Sequence, residues 1–135
     1  MRAAILYTTF ANLTEVRDFA DRLLAARLAA CVNALPQMRA FYRWQGELHD
    51  DPEVACIIKT RVELKDELMA FARANHPYDT PALLWFEADD VDAAFGAWIA
   101  GETARAEAAG GAAAALRRRR PRAARPGSAP ARSGA

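Results

Sequence analysis

Apolar positions along this chain switch between a two-residue and a 3.6-residue period, and the switches mark its elements. Ala3 to Thr9 is a short apolar, β-branched run, the pattern of a central strand. Asn12, followed three residues later by Glu15, resembles a capping box and opens a helix. Val16, Phe19, Ala20, Leu23, Leu24 and Leu28 then recur at helical spacing, while Asp18, Asp21, Arg22 and Arg27 lie off that stripe. The helix is expected to fade between Leu28 and Ala30.

From Cys31 to Thr60 the pattern is that of two long strands joined by a tight turn at Gln45-Gly46. Phe41-Tyr42-Arg43-Trp44 leads into the turn with the aromatic residues that sheets favour. A two-residue loop places Trp44 opposite Glu47 and Tyr42 opposite His49. Pro36 and Pro52 should each interrupt or bend a strand, because proline donates no ladder hydrogen bond. One small domain cannot cover a hairpin of this length. Its far end needs a partner, and another copy of the same chain is the expected one.

Thr60 with Glu63 forms a second capping-box pattern, and Leu64, Leu68, Phe71 and Ala72 mark the buried face of a second helix. Asn75-His76-Pro77 ends it, since the residue before proline avoids helical geometry. Leu83 to Ala88 is continuously apolar and predicts a central strand. Asp89 or Asp90 should cap a third helix whose inner side carries Val91, Ala94, Phe95, Trp98 and Ile99. The order strand, helix, strand, strand, helix, strand predicts an α+β, ferredoxin-like split βαβ fold with an antiparallel sheet, followed by a C-terminal helix.

Composition divides the chain. Residues 1–100 read as one domain; residues 101–135, rich in Ala, Arg, Gly and Pro, offer nothing to bury and read as a disordered basic tail. The tail holds eight arginines against Glu102 and Glu107, so that of 18 basic and 17 acidic residues the body keeps 10 and 15. Its arginine run could give non-specific affinity for nucleic acid, though without interleaved aromatics a solvated extension explains it better. Cys31 and Cys56 lack metal-type spacing and read as free thiols. No segment predicts a signal peptide or a membrane span, which makes a soluble cytoplasmic protein the expectation.

Several blocks line up with one family. Cys31-Val32-Asn33 opens the long strand, Tyr42-x-Trp44-x-Gly46 reaches the turn, and Glu53 follows. Lys59-Thr60 closes the strand, and His76-Pro77-Tyr78 and Thr80-Pro81 come after it. Together they resemble the CutA family of divalent-cation tolerance proteins over roughly residues 3–100. The resemblance implies a tight homotrimer akin in shape to PII-type signalling trimers, a link to copper tolerance and no established catalytic activity. It implies no organic cofactor, with Cu(II) or another divalent cation as the ligand class. The residues depart from copper-binding members at Asn75 and Tyr7, where histidine and cysteine can stand, and at Ala82, where glutamate is common.

The candidate sites follow. His76, at a helix end beside Pro77, is the candidate metal ligand, expected at a surface or crevice; the alternative is a structural histidine. His49 with Asp50 and Asp51 could hold a divalent ion, though a solvated turn accounts for them equally. Glu53 and Lys59 share a strand face by even spacing and could line an intersubunit cleft, or form an interfacial ion pair. Tyr42, Trp44, Tyr78 and Trp98 read as packing and trimer-interface residues. Acylphosphatase-type chemistry would need a glycine- and arginine-bearing phosphate loop where Phe10-Ala11-Asn12-Leu13 stands, and a zinc hydrolase would need paired helical histidines. An acidic body does not suit sheet-mediated RNA binding. A PII-like trimer sensing a small metabolite in its clefts is the alternative to metal handling.

Overall fold

Strand β1 (Ala3–Phe10) occupies an interior position of the main sheet, with a strand on either side, and six of its eight residues are buried. The computed structural model describes residues 1–104 and 123–126. After β1 come α1 (Leu13–Ala25), β2 (Cys31–Trp44), β3 (Glu47–Arg61), a 3-10 turn (Val62–Leu64) and α2 (Lys65–Asn75). Then follow β4 (Tyr78–Thr80), β5 (Leu84–Glu87), α3 (Ala93–Glu102) and β6 (Ala123–Pro126). Strands β2, β3, β1 and β5 form one antiparallel sheet in that order, the expected ferredoxin-like arrangement. Most of the tail predicted for residues 101–135 lies outside the described residues.

The core is built where the two periodicities meet. Leu6 and Phe10 of β1, and Val54, Cys56 and Ile58 of β3, point to one face of the sheet. Val16, Phe19 and Leu23 of α1, and Leu68, Phe71 and Ala72 of α2, close over it. Asn12 caps α1 by accepting from the Glu15 amide at 2.9 Å, and the Glu15 carboxylate reaches back to the Ala11 amide. Helix α1 stops at Ala25, three residues before the expected fade, because Arg27 turns into the left-handed region at φ 57°.

The hairpin has the predicted register, Trp44 opposite Glu47 and Tyr42 opposite His49. Gln45 (φ 52°) and Gly46 (φ 81°) both adopt positive φ, the requirement of a type I′ turn. Glutamine pays for that geometry while asparagine tolerates it, so Gln45→Asn is expected to stabilise the chain by roughly 0.5 kcal/mol. Thermal unfolding would read this as a small rise in Tm. Pro36 does break the ladder: the register shifts between Leu35 and Met38, with Gln37 at φ 68°. Pro52 does not; it stays paired with Arg39, at a level where β3 has only β2 beside it. Beyond Phe10, which pairs with Val54, nothing in this sheet flanks the hairpin, and Met38–Trp44 with its partner strand projects roughly 20 Å as a two-stranded arm.

Four local expectations are corrected. Thr60 does not cap the second helix: its hydroxyl donates to the Leu28 carbonyl, and the chain enters α2 through the 3-10 turn with no side-chain cap. Helix α3 is capped by Asp92, which accepts from the Phe95 amide, while Asp90 bonds only the neighbouring Val91 amide. The strand at Leu84–Glu87 lies at the sheet edge rather than in its centre. Only Trp85 of that strand reaches the core, leaving Leu84 and Phe86 exposed on the other face. Ala94, Phe95 and Trp98 also turn outward, so the buried side of α3 is reduced to Gly96 and Ile99.

Candidate functional site

At the base of the arm, the ends of β1 and α2 meet the middle of β3 in a buried polar network. His76, the first residue past α2, is 1 % exposed and its ring stacks on Phe10, centroids 4.3 Å apart. The Tyr78 amide donates to Nδ1 at 3.0 Å, which leaves the proton on Nε2. Nε2 then donates to the Thr9 carbonyl at 2.8 Å, with the Thr8 hydroxyl 3.1 Å away. The turn imposed by Pro77 brings Tyr78 back beneath the same ring.

Tyr78 carries the network onward. Its hydroxyl donates to Glu53 Oε2 at 3.2 Å, and the Thr9 hydroxyl donates to the same oxygen at 3.1 Å. Glu53 is 1 % exposed. Its negative charge, after burial itself, raises the Tyr7 phenol above its ordinary value, and Cys56 adds to the effect. Burial pushes the Cys56 thiol up to about 12. Both groups hold their protons more firmly in the folded chain than in the unfolded one, so their contribution falls as the pH rises; for Cys56 it is complete below about pH 9 and is lost toward pH 12. A thiol reagent at pH 8 is expected to modify Cys56 only after unfolding; mass spectrometry of native and denatured samples checks this.

His76 is therefore placed in the interior rather than at the expected surface or crevice. One nitrogen accepts an amide proton and the other donates to a carbonyl, so the ring does not fit a metal ion. Asn75, where a second histidine could stand, accepts from Arg22 at 2.8 Å and donates to the Phe71 carbonyl, clamping α1 to α2. Among the described residues no three His, Cys, Asp or Glu side chains are grouped to hold an ion.

The structure does not bring Glu53 and Lys59 together within one chain. Six residues of strand separate them by roughly 20 Å, and Lys59 Nζ lies 5.6 Å from the centroid of the Phe95 ring instead. On the arm, His49 stacks on Tyr42 at 4.8 Å, the Tyr42 hydroxyl donates to Asp51 at 2.7 Å, and Arg39 bridges Asp50 at 2.9 Å. Tyr42 and Trp44 are half-buried, Tyr78 is wholly interior and Trp98 is 43 % exposed. Phe41 and Leu48, at 74 % and 75 % exposed, share the opposite face of the arm and line an open cleft of about 420 Å³. Sequence reasoning passed over them; the strand alternation that places them opposite Tyr42 and His49 was the available signal.

Residues 4–102 match the family described as CutA1 divalent ion tolerance protein. The divalent-cation tolerance protein CutA of Pyrococcus horikoshii is 41 % identical over 99 residues, 73 % of this chain and 96 % of that protein. A longer relative, the CutA homolog of Danio rerio, is 37 % identical over 84 residues, which is 62 % of this chain and 56 % of that one. The crystal structure of CutA1 from Pyrococcus horikoshii superposes with a TM-score of 0.73 at 38 % identity, covering 76 % of this chain and 99 % of that one. No helix among the described residues is long and apolar enough to cross a membrane.

Proposed function

The chain belongs to the CutA1 divalent ion tolerance family, and from that premise we propose that it is a non-enzymatic divalent-cation tolerance protein acting as a homotrimer. One observation carries the assembly: the apolar surface left open by a single chain. Phe41 and Leu48 on the arm, with Leu84, Phe86, Phe95 and Trp98 near the sheet face that the core leaves bare, are large apolar residues in water. Such surface marks contact with another chain. Neighbouring copies that cover the arm and pair with its free edges satisfy both the rings and the backbone.

The cation link does not run through His76, whose nitrogens are committed inside the fold. The only other imidazole in the sequence is His49, half-buried on the arm beside Asp50 and Asp51. A divalent ion is met there by donors that assembly brings together, since within one chain Asp50 and Asp51 are engaged by Arg39 and Tyr42. Imidazole and carboxylate suit Cu(II) and Zn(II). Calorimetric titration of the full-length protein with Cu(II) tests this. Binding weakened at least tenfold by His49→Ala is expected, and an unchanged isotherm in that variant removes His49 from the proposal.

A further inference from the structure

Strand β4 is three residues long, and β6 runs parallel beside it, with Tyr78 opposite Ala123, Thr80 opposite Pro126 and an irregularity between the pairs. We propose that β4 is a docking edge for an extended, arginine-bearing segment, and that its occupant is residues 123–126 of the same chain, held by strand addition.

The edge is prepared by the buried network. Tyr78 is fully buried, its amide taken by His76 and its hydroxyl by Glu53, which fixes the start of β4. Asp79 and Thr80 are exposed, so the strand presents backbone groups to whatever extended chain reaches them. The occupant is equally suited. Proline biases the residue before it toward extended backbone, which favours Arg125 ahead of Pro126. Pro126 has no N–H to donate, so the ladder ends where β6 ends. Charge agrees as well: the segment comes from the basic tail and meets an acidic body.

Four residues in parallel pairing make a weak contact, strengthened because the segment is tethered to its own edge. The docked strand therefore caps the edge against other extended chains and yields to a stronger competitor. The family match ends at residue 102, so this cap lies outside the stretch that the family description covers.

The test attaches a nitroxide to Ser128→Cys in a Cys31→Ser background of the full-length protein, Cys56 being inaccessible. Selective broadening of the Asp79 and Thr80 amide signals in the chain that carries the label is expected, together with roughly fivefold faster hydrogen exchange in β4 when residues 105–135 are deleted. Unbroadened β4 signals overturn the proposal. Mixing label-bearing chains with isotopically enriched, label-free chains decides the remaining point: broadening on the enriched chains means that another copy supplies the strand, which overturns the same-chain assignment.

Discussion

Phe41→Asp combined with Leu48→Asp is expected to break the proposed trimer into single chains of 14.8 kDa. Both side chains are about three-quarters exposed, so within one chain they pack against little and their loss costs its fold little. Covered by a neighbour, each large apolar side chain stabilises the assembly by roughly 1.5–3 kcal/mol, and each contact recurs around a trimer. Aspartate removes that gain and adds the cost of burying a carboxylate without a partner. Light scattering at micromolar concentration reads the outcome. A trimer that survives both substitutions means that the arm is not where copies meet.

His76→Ala is expected to lower stability by about 2–4 kcal/mol and to leave Cu(II) titration unchanged. Removing the ring opens a cavity against Phe10 and leaves the Tyr78 amide and the Thr9 carbonyl without the bonds it supplied. Tyr78 then loses the anchor that aims its hydroxyl at Glu53, so the damage extends to the buried carboxylate. Denaturant unfolding gives the stability change and calorimetry the metal response. A large loss of Cu(II) affinity in a variant that remains folded would return His76 to the role of ligand.

How much of this was legible in the sequence depends on whether the cause was local. The hairpin register was readable, because Gln45-Gly46 and the alternation around it act within a few residues. The Thr60 capping box was not realised, because the Leu28 carbonyl, distant in sequence, claims the same hydroxyl. Strand β4 was missed: three residues after a proline are too few for alternation to register.

The run from Leu83 to Ala88 was misplaced for an instructive reason. Continuous apolarity correctly signalled a strand with two apolar faces, yet of this run only Leu83 and Trp85 pack against the core of their own chain. The other face, with Leu84 and Phe86, is bare in the single chain, and a second copy is what the proposed assembly supplies to it. His76 was the converse case. Its place at a helix end suggested access to solvent, but the turn at Pro77 rotates the ring inward onto Phe10, and no residue spacing encodes that rotation.

Whether one chain can exist without its copies is decided by the mass of the purified full-length protein in solution, followed as it is diluted from micromolar to nanomolar. The account predicts a particle of three chains that holds together across that range. A stable, soluble species of 14.8 kDa would contradict it, since the apolar arm would then tolerate water unaided.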